Sequence, residues 1–252
     1  TAMGVQVVVA DPLDPSELAK ACAGSDCVVS ALAGLRDVII DAQKNLLDAA
    51  VNAGVPHFIP SDFCTDYTEL VPGENRNFDL RREFREYADG KPIKLSSVFN
   101  GAFAEILQYN IPVLNRKEKS IGYWGDRADW KLDFTTMDNA AAFTAEVALD
   151  DNAPRDLQIA SFQVSPNDLH DLLKEATGED FRLQQLSTLE QFAGYIKKQR
   201  ADNPAGEQEL YARWQQSQYM YSMFTTHHDQ LANNRYPSVH WESASAFIGG
   251  FL

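Results

Sequence analysis

The sequence predicts an α/β fold: a parallel sheet flanked by helices, with a smaller, mainly helical region after it. Two observations carry that prediction. Over the first hundred residues, short β-branched runs alternate with helical stretches through brief connections. From residue 165 onward, the pattern turns helical and rich in aromatic side chains.

Residues 5–10 (VQVVVA) predict a buried strand, closed by Asp11 and Pro12. Asp14, Pro15, Ser16 and Glu17 open a helix that runs through Ala23 and stops at Gly24. Residues 27–32 predict the next strand, running into the small loop Ala33-Gly34. An amphipathic helix follows, with Ile39, Ala42, Leu46, Ala49 and Ala50 at helical spacing and Gly54 as its end. Residues 57–60 predict a third strand, and residues 67–77 a loop. Residues 78–87 predict a helix and residues 93–98 a strand. Around Trp124 and Trp130 the pattern is short and irregular. A helix is expected over 139–149, a strand over 156–160, and helices over 166–177, 188–200 and 207–224, the last two separated by Asn203-Pro204-Ala205-Gly206. The division this implies is a sheet-building part over 1–110, a mixed segment over 111–164 that returns to the sheet, and a helical region over 165–252.

The formal net charge of −14 argues against a protein that grips nucleic acid or an anionic membrane by a broad basic surface. No apolar run approaches the ~18 residues of a membrane span. Cys22, Cys27 and Cys64 are odd in number and lack paired metal spacing, so reduced thiols, no metal and a cytoplasmic location are expected.

Residues 54–63 (GVPHFIPSDF) resemble the strand and loop that mark NmrA-like, isoflavone-reductase-like proteins, which are atypical short-chain dehydrogenase/reductases. Residues 11–14 (DPLD), 28–32 (VVSAL) and 98–103 (VFNGAF) are similar to the same family. Residues 73–84 and the ending Asn234-Arg235-Tyr236-Pro237 with Trp241 resemble one bacterial and fungal subgroup. The resemblance implies a Rossmann-type domain that binds NADP, with NAD as the alternative, and a small-molecule substrate. In such a fold, ligands sit in the crevice at the carboxyl ends of the strands. The loops there supply the implied cofactor residues: Asp11 near the adenine, Ala31, Leu32 and Gly34 along the ribose and diphosphate, and Ser61, Asp62, Phe63, Asn100 and Gly101 around the nicotinamide.

The family's catalytic lysine falls on Arg81 or Arg82, and Arg81 is expected to hold the ribose or phosphate. Arginine stays protonated at ordinary pH, so it binds anions well and donates protons poorly. On a solvated helix face, Arg81, Arg82 and Arg85 would instead pair with Glu83 and Glu86. Tyr67 and Asp62 are the further catalytic candidates, Asp62 as base or ribose ligand, with turn capping as its plain alternative. Tyr87 and Lys91 match the Tyr-x-x-x-Lys spacing, but Asp89-Gly90 and Pro92 break the helix between them. His57 is expected to be structural. Trp214, Tyr219, Met220, Tyr221, Met223 and Phe224 form either a lid over an aromatic substrate or core between two helices.

The family's Gly-x-x-Gly-x-x-Gly turn has no match in these 252 residues. An upstream segment is therefore expected in the natural protein, an expectation that an intact mass equal to these 252 residues, with residues 5–10 paired directly to 28–32, would refute. The function expected is hydride transfer to a small aromatic or conjugated carbonyl or enone. A non-catalytic redox sensor is the alternative, and a homodimer or a protein partner is left open.

Overall fold

The computed structural model describes residues 4–252; residues 1–3, the start of the expected 1–110 part, lie outside it. Helix α1 (Pro15–Cys22) begins at Asp14, whose carboxylate accepts from the N–H groups of Ser16 and Glu17. Strand β1 (Cys27–Val29), helix α2 (Gln43–Asn52), β2 (His57–Ile59), α3 (Arg76–Ala88), β3 (Lys94–Leu95) and β4 (Ser97–Phe99) follow. After them come β5 (Ala102–Phe103), β6 (Ser120–Trp124), β7 (Leu132–Thr135), α4 (Met137–Leu149), β8 (Asp156–Gln158), β9 (Phe162–Val164), α5 (Pro166–Thr177), β10 (Arg182–Ser187), α6 (Leu189–Asp202), α7 (Arg213–Met223) and α8 (Ala244–Gly249).

The main sheet is parallel, in the order β1-β2-β3, and continues through β4 to β8. β3 and β4 are halves of one extended run that changes partner at its middle. Ser96 N donates to Phe58 O of β2 at 3.2 Å, and Ser97 N donates to Arg155 O beside β8 at 2.7 Å. Because every strand runs the same way, the loops after β1, β2 and β4 emerge along one edge. Helices α1, α2 and α3 cover one face, burying Leu18, Ile40, Leu47, Phe58 and Phe84. On the other face α4 and the C-terminal segment bury Val98, Phe143, Leu157 and Val239. Two smaller sheets, β5-β7-β9 and β6-β10, support a second core around Trp124, Phe134, Phe192 and Phe224. The chain is thus the expected Rossmann-type α/β fold with a helical region beside it. Among the described residues, no helix is long and apolar enough to cross a membrane.

Three elements differ from expectation. Residues 5–10 form no strand, and Val7 and Val9 are 71% and 93% exposed. β-branched composition favours a strand only where a neighbouring ladder exists, and β1 pairs with β2 without taking up this run. Second, β10 interrupts the helical region, pairing in parallel with β6; its polar alternation gave no apolar stripe to read. Third, α7 begins at Arg213 rather than 207, because the Arg76 guanidinium binds the carbonyls of Gly206, Glu207 and Glu209 at 2.9–3.2 Å. Gly206 O accepts in addition from Glu209 N at 3.1 Å, closing a short 3₁₀ turn in place of an α-helical start.

The expected long helix after Gly34 also changes character. Residues Asp37–Ala42 form a wide π turn before α2 takes over. The extra residue turns Gln43 inward to full burial, where Nε2 donates to Ile39 O at 3.0 Å and Oε1 accepts from Ser61 N at 2.8 Å. Replacing Gln43 by Leu strands the buried Ser61 N–H. Urea unfolding is expected to show a loss of about 1–3 kcal/mol.

His57 lies buried in β2 with Nε2 3.0 Å from Ser96 Oγ. Burial, reinforced by Lys94, lowers its pKa to about 4. An unfolded histidine takes a proton near pH 6.5 and the folded one only near 4, so acidification through that window favours unfolding. Stability is expected to be full above pH 6.5 and to fall toward pH 4, and His57→Gln flattens that part of the pH–stability curve.

Candidate functional site

The rim at the strand ends is assembled around Ser61, the residue that follows Pro60 after β2. Its Oγ donates to Leu32 O in the loop after β1 at 2.7 Å. Its N–H is bound by Gln43 at the start of α2, and its carbonyl accepts from Arg81 Nε of α3 at 3.0 Å. One short residue thus ties together two strand-end loops and two helices. The loop after β4 is set by a different device. Gly101 has φ +64°, and a Cβ there would stand 2.5 Å from both Asp133 Cβ and Asp133 O. Only glycine combines that conformation with that proximity.

Beyond this rim lies a cavity of about 580 Å³, lined by Phe63, Phe78, Arg81, Gly101 and Phe103 from the sheet side, and by Tyr219 and Met220 of α7. A mostly apolar trough of about 410 Å³, along Val29, Ala31, Met137 and Ala140, meets it at Phe63 and Phe103. A further hollow of about 650 Å³ lies on the other flank of α7, walled by Trp124, Phe192 and Arg213. It shares Ile111, Gln216 and Met220 with the cavity. The cavity beside Arg81 is the candidate site because it adjoins the strand ends and holds a half-buried charge.

Arg81 does not pair with Glu83 or Glu86. Besides Ser61 O it donates from Nη1 to Asn77 O at 3.2 Å, and Nη2 has no partner among the described residues. Burial opposes its charge, but Cys64, Tyr219, Asp62 and Tyr67 around it prevail and hold its proton more tightly than usual. Arg82 clamps the carbonyls of Tyr67 and Leu70 instead. Arg85 pairs with Asp156 at 2.6 Å, and Glu83 pairs with Arg36. The expected acid–base pairing along α3 does not form, because each arginine finds carbonyls or an acid on another element.

Several expected site residues lie elsewhere. Asp62 is 1% exposed and accepts from Ser97 Oγ at 2.7 Å, beneath the rim rather than in the cavity. Burial raises its pKa. Tyr67 is fully buried, edge-on to Phe99 at 5.4 Å, and burial pushes its hydroxyl far above the usual phenol range. Neither residue lines the cavity. Asn100 is also fully buried, and its carbonyl accepts from Thr135 Oγ1 at 2.7 Å; its neighbour Gly101 reaches the cavity in its place. Asp11 closes an exposed turn, accepting from Leu13 N, and this turn is held to α2 by Asn45 Nδ2 donating to Pro12 O. Gly34 lets its loop press on Val38. Of the four loops, those after β1, β2 and β4 converge, while the Asp11 turn stands outside the cavity.

Tyr87 and Lys91 do meet despite the break in the helix, with Nζ 4.1 Å from the ring centre and both groups on Asp48. They sit on the α2–α3 surface and line none of these cavities. The aromatic tail is divided: Trp214 and Phe224 are core, and Tyr219 and Met220 line the cavity. Gln43, Asn77, Phe103 and Gln215 were not singled out by the sequence. A readable signal existed for Gln215, since Gln215, Tyr219 and Met223 recur every four residues along one helical face.

The NmrA-like family model matches residues 1–242. The chain belongs to the NmrA-like family. It is 26% identical over 184 residues to Oxidoreductase aprR of Aspergillus flavus, covering 69% of this chain and 60% of that protein. The chain therefore spans less than two thirds of this curated relative. Among solved structures it resembles an isoflavone reductase, with a TM-score of 0.80 and 20% identity. It also resembles AtPrR2 with NADP+ and (+)pinoresinol, with a TM-score of 0.78 and 22% identity. Both likenesses cover 100% of this chain and 83% of the other. They show the fold.

Gly101→Ala tests the rim. Gly54 has a similar φ of +74°, but a methyl group there would meet open space, so Gly54→Ala carries only the left-handed strain of about 1–2 kcal/mol. Gly101→Ala is expected to cost more than Gly54→Ala in urea unfolding, because Asp133 must also move.

Proposed function

We propose that this protein is an NAD(P)-dependent reductase that delivers hydride to a small aromatic or conjugated carbonyl or enone. The observation that carries the proposal is the cavity itself: aromatic walls at the strand ends, with a guanidinium whose Nη2 is unclaimed among the described residues. The relative named as an oxidoreductase and the NADP+ held by AtPrR2 support the same reading.

The residues present fit the nicotinamide end of such a cofactor. Phe63 and Phe103 stand where trough and cavity meet, a position suited to a flat ring, and Gly101 lets the backbone approach it closely. Ala31 and Leu32 would flank the ribose. No glycine-rich turn in the chain is spaced to cradle the diphosphate. When bound, the nicotinamide supplies the hydride.

The protein's own part is orientation, charge and a proton. Arg81 Nη2 donates to the substrate carbonyl oxygen and stabilises the negative charge that grows there, which a permanently charged group does well. Tyr219 then takes the role of proton donor. Asn77 Nδ2 donates to the Tyr219 hydroxyl oxygen at 3.0 Å, leaving the phenol proton free to point into the cavity. Asn77 also holds Arg81 through its carbonyl, so one residue sets both groups. Apolar walls exclude water and match an aromatic ring.

The test is titration with NADPH and NADH, followed by NADPH oxidation with a panel of aromatic aldehydes and enones. Tyr219→Phe is expected to lower kcat/KM roughly 10²–10⁴-fold, and Arg81→Met roughly 10²–10³-fold. Arg81→Lys keeps the charge and separates lost electrostatics from lost folding. Tight cofactor binding without turnover of any compound overturns the reductase reading in favour of a redox sensor.

A further inference from the structure

One polar side chain in the cavity wall has no account in the fold. Gln215 is 1% exposed, lines the cavity, and its amide has no hydrogen-bond partner among the described residues; Nε2 is entirely buried. Its neighbours on α7 show what a satisfied glutamine looks like. Gln218 Oε1 accepts from Arg76 N at 3.1 Å, and Gln216 Nε2 donates to Tyr211 O at 3.4 Å. Around Gln215 the lining is largely apolar, with Phe103, Ile106, Met220 and Met223. A leucine would fill the same space without stranding the buried Nε2 donor. An amide kept there at such a cost marks a position that a ligand completes.

We propose that Gln215 is a specificity-determining residue that reads a hydroxyl group on the substrate. This rests on the reading of the cavity as the substrate site. An amide presents one donor group and one acceptor, and a hydroxyl both donates and accepts, so a single hydroxyl closes both halves. A carbonyl or carboxylate satisfies only Nε2. Gln215 precedes Tyr219 by four residues, which places it roughly 6 Å along the helix axis from the proton donor. The substrate class is therefore an aromatic carbonyl or enone with a hydroxyl about one helical turn from its reacting oxygen. Sites built to bind a hydroxyl reject the analogue that lacks it far more strongly than apolar pockets reject an extra one.

The experiment compares chalcone, 4-hydroxychalcone and 4′-hydroxychalcone as binding probes by calorimetric titration without cofactor, in wild type, Gln215→Leu and Gln215→Met. Wild type is expected to bind one hydroxylated compound at least about tenfold more tightly than chalcone, and both variants to erase that preference while binding chalcone as before. The variants are also expected to match or exceed wild type in Tm, since they remove an unsatisfied amide. Wild-type protein that treats the three compounds alike, including binding none, overturns the proposal. So does a preference that survives in the variants, or a fall in Tm of several degrees, which assigns the amide a structural role. Because these measurements need no turnover, failure of NADPH oxidation bears on the reductase reading and leaves this result to stand or fall separately.

Discussion

The rim depends on one residue satisfying three elements at once. Ser61 offers a hydroxyl, an N–H and a carbonyl, and each is taken by a different part of the fold: the Leu32 loop, α2 through Gln43, and α3 through Arg81. A larger side chain at this position could not stay buried there and still bridge so short a gap. The arrangement also makes the placement of Arg81 a property of the sheet. Its Nε is anchored to backbone two residues beyond β2, which Gln43 and the Leu32 carbonyl already hold, so the guanidinium is positioned before any ligand arrives.

That anchoring bears on the substitution of arginine for the family's lysine. A lysine has one point of charge, which must choose between structure and substrate. The guanidinium has several N–H groups in one plane, so it can bind Ser61 and Asn77 and still keep Nη2 for the cavity. In the proposed reaction Tyr219, set by Asn77, supplies the proton that Arg81 holds too tightly to give.

Much of the sheet was legible because burial leaves a local imprint: the runs at 27–32, 57–60 and 93–98 became β1, β2 and the β3–β4 pair. Residues 5–10 carry the same imprint and form no strand, since pairing is decided by neighbours and not by composition. β10 failed in the opposite sense, being a ladder without an apolar face. The loops at Ser61 and Gly101 were visible through the family's motifs. Burial of Asp62, Tyr67 and Asn100 was not, because side-chain direction at a strand end depends on tertiary packing. Gln43 was hidden for a related reason: a π turn shifts the helical phase, so a 3.6-residue reading assigned the buried face to Leu46 where the structure buries Leu47.

Helix α7 is a partition wall, with Gln216 and Met220 contributing to the spaces on both of its flanks. Methionine is unbranched and soft, and a change in its rotamer shifts room from one chamber to the other with no movement of backbone. In the proposed reading, the length of compound that fits is tuned by the side chains the two spaces share, Ile111, Gln216 and Met220, while the sheet and the rim stay as they are.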